Sequence, residues 1–203
     1  MEIKTYLLDL QRVENQSTSC IDAVLNPSFL KETIHYQIRE LVIVQAFMQV
    51  CTAWEHFLEH SFIHYTLGGT SLRGNKPVCY INPRDETHSD LIIKGNSQYP
   101  DWATHSAIIK MAEKIFEDGE PYKSVLQMAS SSFTAMKKIR NEIAHNSLNS
   151  KNIFDTLVRD TLSAGKVGIS VAEYLISKKR SQPPFYEIYF GYIKDSAMKI
   201  ANA

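Results

Sequence analysis

From residue 33 to residue 66 the chain runs without a proline or a glycine, and Gly68-Gly69 closes the run. A stretch this long and free of breakers reads as one continuous helix, ended where glycine makes the backbone permissive. Its apolar residues Ile34, Ile38, Leu41, Val44, Met48, Cys51, Trp54 or Leu58, Phe62 and Tyr65 recur at steps of three and four. That spacing places them on one stripe. Around Val42 the helix is apolar on nearly every side, the pattern of a central helix packed all round. A chain built on such a helix must surround it with partners, so a helical bundle is the expected architecture.

The remaining periodicity agrees. Residues 2–15 read as a first helix, and 102–117 as another. A segment from Pro121 runs to about residue 146, and helices are expected over 150–163, 170–179 and 185–201. Gly119/Pro121 and Pro183-Pro184 punctuate them. The exception is 68–101, which holds Gly68, Gly69, Gly74, Pro77, Pro83, Gly95 and Pro100. A connection this long in a compact domain carries function or small elements of its own. PVCYI and DLIIK are read as a possible short hairpin there. The expectation is an all-α bundle of roughly six to eight helices, folded as one domain over 1–203.

Composition bounds the function. Hydrophobic residues make up 44% and charged residues 22%, which is globular rather than disordered. Lys and Arg number 22 and Asp and Glu 22, so the chain lacks the positive excess of a nucleic-acid coat protein. That balance leaves room for a small phosphate-handling site. Cys20, Cys51 and Cys79 are far apart, with no C-x-x-C pair and so no zinc-ribbon or redox motif. The charged, amphipathic start MEIKTYLLDLQRVEN does not resemble a signal peptide, and the most apolar run, Leu41 to Val44, is far too short to span a bilayer. A reducing cytoplasm, with no membrane partner, is the expected setting.

The chemistry concentrates in SSFTAMKKIRNEIAHNSLNS, residues 131–150. At about 100° per residue, Ala129, Met136, Ile139 and Ile143 fall in one arc with Ser132 among them, and form a buried seam. Asn141 and His145 are four apart and share a face off that seam. Arg140 lies between, where its stem can pack on the seam while the guanidinium reaches toward the pair. A guanidinium grips phosphate oxygens bidentately, an imidazole takes or gives a proton near neutrality, and an amide orients either. Together they suit metal-free RNA cleavage, in which the ribose 2′-hydroxyl attacks the adjacent phosphate. Bare R-x4–6-H spacing carries little, because seven Arg and seven His produce it by chance roughly once in such a chain. An Arg and a His near a helix end can also simply complement the helix dipole.

The sharper string is R-N-x-I-A-H on a late amphipathic helix. There the sequence resembles the HEPN superfamily, whose nuclease members carry R-x4–6-H with a polar residue, often Asn, after the Arg. AWEHFLEHSF (53–62), ISVAEYL (169–175) and the aromatic-rich final helix are similar to its RiboL-PSP-HEPN branch. The resemblance implies that Arg140, Asn141 and His145 are the catalytic set of a metal-independent endoribonuclease without cofactor. It implies a homodimer that brings two motifs together, an RNA substrate, a toxin–antitoxin or anti-phage setting and a possible cognate antitoxin or regulatory protein. It equally allows a non-catalytic module that binds nucleotide, RNA or a partner protein. HEPN toxins silenced by a nucleotidyltransferase antitoxin carry Tyr two residues after the His. Ser147 stands there in this chain, so silencing by that modification is not expected.

A second pattern lies on the long helix. His56, His60 and His64 stand at i, i+4 and i+8, opposite Trp54, Leu58 and Phe62. His56-Phe57-Leu58-Glu59-His60 matches H-x-x-E-H, in which two histidines hold zinc and Glu59 acts as base. No downstream acidic ligand announces itself, so a polar stripe facing solvent or a second copy is the preferred reading. His60 and His64 are also candidates to line an RNA groove. Lys137 and Lys138 beside Arg140, and Lys178-Lys179-Arg180, are small basic clusters able to hold a phosphate backbone or simply to be solvated. Tyr186, Tyr189, Phe190 and Tyr192 read as packing rather than a base-stacking platform.

Overall fold

The computed structural model describes residues 2–28, 33–95, 100–162 and 168–203. Among them are nine α-helices: α1 (Ile3–Leu25), α2 (Thr33–Thr66), α3 (Glu86–Lys94), α4 (His105–Ile115), α5 (Tyr122–Met128), α6 (Ser130–His145), α7 (Leu148–Leu162), α8 (Val171–Ile176) and α9 (Phe185–Ala201). The protein is all-α. The only β-type pairing among the described residues is a single antiparallel bridge, Cys79 with Phe116. The expected hairpin does not form. DLIIK lies in α3, whose start is fixed by the Asp85 side chain accepting the His88 N–H at 2.8 Å. A short apolar run such as Leu91-Ile92-Ile93 does not distinguish strand from helix by periodicity, and here a capping carboxylate decides. Residues 96–99 of that stretch lie outside the described residues.

The chain divides into two compact units, one of Met1–Gln11, Ala53–Phe133 and Tyr192–Ala203, the other of Arg12–Thr52 and Thr134–Gly191. The first is organised around the second half of α2. Phe62 meets Trp102, Phe116 and Tyr122 at ring-centroid distances of 5.6, 4.9 and 4.7 Å. Tyr65 donates to the Ile200 carbonyl at 2.7 Å, and Tyr122 donates to Ser61 at 3.1 Å. The second unit centres on Phe47 against Tyr189 and Phe190, with Tyr174 stacked on Phe185 and edge-on to Phe154. The hydroxyls of Tyr174 and Tyr189 hydrogen-bond each other at 2.9 Å. The aromatics of α9 are therefore mainly core, and only Tyr192 of the four is exposed.

α1 extends ten residues beyond the expected end at residue 15. Its buried face reads Ile3, Leu7, Leu10, Glu14, Ser17, Ile21 and Val24, alternating steps of four and three without a break. Glu14 and Ser17 occupy seam positions, so the apolar signal lapses there while the helix does not. The segment from Pro121 is two helices, α5 and α6, separated at Ala129.

α2 has the expected ends, but its expected stripe holds only in part. Cys51, Trp54, Leu58, Phe62 and Tyr65 are buried, whereas Ile38 and Leu41 are exposed, Leu41 by 68%. Ile43, Ala46, Phe47 and Val50 take the buried face instead. A helix that is apolar on all sides has periodicity without phase, so its neighbours choose the face. The Ile34 side chain lies outside the described residues. By length and composition α2 is the one described helix that passes for a membrane span. Phe57, Leu58, Phe62 and Tyr65 are nearly inaccessible, as in the core helix of a folded unit.

Burial, the leading cause in each case, pushes the hydroxyls of Tyr65, Tyr122, Tyr174 and Tyr189 above their ordinary value of 10.0. The folded state thus favours the protonated phenols. Their contribution is intact below about pH 10 and is lost as pH rises through the unfolded value and beyond. Denaturation midpoints measured from pH 8 to 11 are expected to stay level to about pH 9.5 and then fall. A level profile through pH 11 would contradict this burial.

Candidate functional site

Arg140, Asn141 and His145 occupy the last turn and a half of α6 in the second unit. The end of that helix is built locally. Asn146 adopts the left-handed conformation at φ 42°, which asparagine tolerates better than most residues. Its N–H closes onto the Glu142 carbonyl at 2.9 Å. Ser147 then starts α7: its Oγ accepts the Ser150 N–H at 3.1 Å, while its own N–H donates to Ser150 Oγ at 3.0 Å. This reciprocal cap leaves only Asn146 and Ser147 between α6 and α7. The position of His145 is thus set by backbone hydrogen bonds on both sides.

The expected seam is present along most of α6. Of its residues Ala129, Met136 and Ile139 are buried and Ser132 is half-buried, and Phe133, not an expected member, is buried too. At the last turn it departs from expectation, because Ile143 is only half-buried and Glu142 is buried in its place. Arg140 is half-buried with its Nε wholly withdrawn from solvent, consistent with a stem laid along the seam. Asn141 is half-exposed and His145 exposed. Neither side chain makes a hydrogen bond among the described residues. Lys137 and Lys138 are half-buried on the preceding turn. Leu148, three residues past His145, is 86% exposed.

Glu142 was not among the expected site residues, and the structure makes it conspicuous. It is 9% exposed, and its buried Oε2 has no hydrogen-bond partner among the described residues. It also sits in the last turn of α6, where the carbonyl end of the helix disfavours negative charge. Both features weigh against stability at this position. The sequence held a signal, an acidic residue in the last turn of a helix beside Arg and His, though not the burial. Replacing Glu142 with Met is expected to raise stability by about 1 kcal/mol, the low end of the penalty for an unsatisfied buried polar group. Denaturant unfolding measures it, and a loss of stability would show that the carboxylate has a stabilising role after all.

The histidine line separates into different environments, all in the first unit. His56 and His60 are exposed, with ring centroids 6.4 Å apart. The His60 ring stacks on Tyr6 at 4.9 Å with planes 7° apart. His64 Nε2 donates to the Thr70 carbonyl at 3.0 Å. Its ring fills the space left by Gly69, where a Cβ would approach within 2.3 Å, so Gly69 is required for this contact. For the zinc reading, His56, Glu59 and His60 would need a third ligand or an open cleft. No group of three His, Cys, Asp or Glu able to hold a metal occurs among the described residues. Lys178, Lys179 and Arg180 are exposed in the link between α8 and α9.

No family model matches the chain, and no curated protein or solved structure matches it.

Proposed function

We propose that this protein is a metal-independent endoribonuclease of the HEPN type, acting as a homodimer on RNA in a cytoplasmic toxin or anti-phage setting. The observation that carries the reading is the end of α6. It presents an unengaged, solvent-facing imidazole at His145, an amide one turn earlier at Asn141 and a stem-buried guanidinium at Arg140. These are the groups that phosphodiester cleavage through a 2′-hydroxyl requires. A base removes the 2′-hydroxyl proton as that oxygen attacks phosphorus. The guanidinium takes up the charge that develops on the non-bridging oxygens. The departing 5′-oxygen receives a proton from an acid, leaving a 2′,3′-cyclic phosphate.

One chain supplies one such imidazole, and the reaction is served by two. An isologous dimer about α6 would add a second copy's His145 to the same cleft. Leu148, 86% exposed three residues past His145, would lie at such a contact. The setting and the family rest on the resemblance of R-N-x-I-A-H.

The test is incubation of structured and unstructured RNA with the purified protein in excess EDTA, with sedimentation to establish the oligomer. Cleavage leaving 2′,3′-cyclic phosphate ends from a dimer is expected. Binding of RNA or nucleotide by a protein that cuts no RNA would replace the nuclease with a non-catalytic binding module.

A further inference from the structure

Ser130 is the first residue of α6 and His105 the first residue of α4, and both belong to the first unit. A serine in the first turn of a helix commonly turns its hydroxyl onto nearby backbone groups. Here the Ser130 Oγ meets His105 Nε2 at 2.8 Å, across 25 residues of chain. That is the reach of a nucleophile and its base, about 2.6–3.2 Å. The base is held in orientation by packing. Its ring lies 6.3 Å from that of buried Phe133, tilted by 31°, and Phe133 stacks on Trp54 at 5.4 Å.

Ser130 and His105 are both half-buried, sheltered from bulk water but not sealed. The first N–H groups of a helix have no partner within it, and the helix dipole favours negative charge at that end. Ser130 therefore stands where an oxyanion would be stabilised. Met128, two residues before it, is 72% exposed and offers apolar surface to an acyl chain. We infer that Ser130 and His105 form a nucleophile–base pair that takes an acyl group from a small carboxylic ester. Ser130 Oγ bonds to the carbonyl carbon as its proton passes to His105 Nε2, and the carbonyl π pair moves to oxygen. When that pair returns, the ester C–O bond breaks, and the departing alkoxide takes the proton from His105. The acyl group stays on Ser130 until water repeats both steps and releases the acid. The pair lies at the opposite end of α6 from His145, and its chemistry does not depend on RNA cleavage.

Incubation of the intact protein with an alkyl fluorophosphonate and, separately, with p-nitrophenyl acetate tests it, the modified residue being located by peptide mass mapping. Fluoride leaves as Ser130 Oγ bonds to phosphorus, so one stable adduct on Ser130 is expected, and acetyl should be trapped on the same residue by acid quench. Exposed Ser131 is the internal control and should be labelled at least roughly a hundredfold more slowly, the low end of the worth of a general base. His105→Gln can keep a hydrogen bond to Ser130 but cannot take its proton. It should slow both reactions by roughly two to four powers of ten. Ser130→Ala should abolish the adduct, and Ser131→Ala should leave it unchanged. Absence of an adduct on Ser130 in the wild-type protein would overturn the proposal. So would equal labelling of Ser130 and Ser131, or labelling indifferent to His105→Gln.

Discussion

His145→Ala is expected to lower RNA cleavage in excess EDTA by roughly two to four powers of ten, the usual worth of a general acid or base. Folding should be nearly untouched. The side chain is exposed and makes no hydrogen bond among the described residues, and surface substitutions of this kind stay within about 0.5 kcal/mol. A large loss of activity at constant stability is therefore the signature of a chemical role. Arg140→Lys sharpens the test. It keeps the charge but removes the planar fork that grips two phosphate oxygens at once. A drop nearly as deep as that of His145→Ala points to bidentate recognition of the phosphate. Wild-type cleavage by His145→Ala, with metal chelated, would remove the nuclease assignment from α6.

Phe62→Ala is expected to destabilise the first unit by about 3–5 kcal/mol. Phe62 is fully buried and touches Trp102, Phe116 and Tyr122, with Tyr122 itself tied to Ser61. Truncation removes the transfer energy of the ring, opens a cavity among aromatic neighbours too rigid to refill it, and forfeits their edge-to-face contacts. Total stabilities of about 5–15 kcal/mol make this a large fraction. Phe62→Leu, closer in volume, is expected to cost less, about 1–2 kcal/mol. Urea unfolding of both variants measures the pair. Losses below about 1 kcal/mol for Phe62→Ala would mean that this cluster is not the core of its unit.

Helix ends written in local chemistry were legible in the chain. α2 stops at Thr66 ahead of Gly68, and α9 starts just after Pro183-Pro184, both as the residues require. α3 is not legible, because Leu91-Ile92-Ile93 suits strand and helix alike and nothing in the sequence marks Asp85 as the deciding cap. The second half of α1 is hidden in the sequence because Glu14 and Ser17 occupy positions a core usually fills with apolar groups. In the candidate site, Arg140, Asn141 and His145 could be named from spacing and residue type. Their exposure could not, nor could the burial of Glu142 beside them.

Backbone preference belongs to each residue and its nearest neighbours, so the sequence by itself determined that this protein is helical and where most of its helices begin and end. Burial depends on which surfaces a residue meets from distant parts of the chain. Only the tertiary structure therefore decided that Ile43 faces inward while Leu41 faces water, that His145 stays open to solvent, and that a carboxylate is enclosed one turn before it.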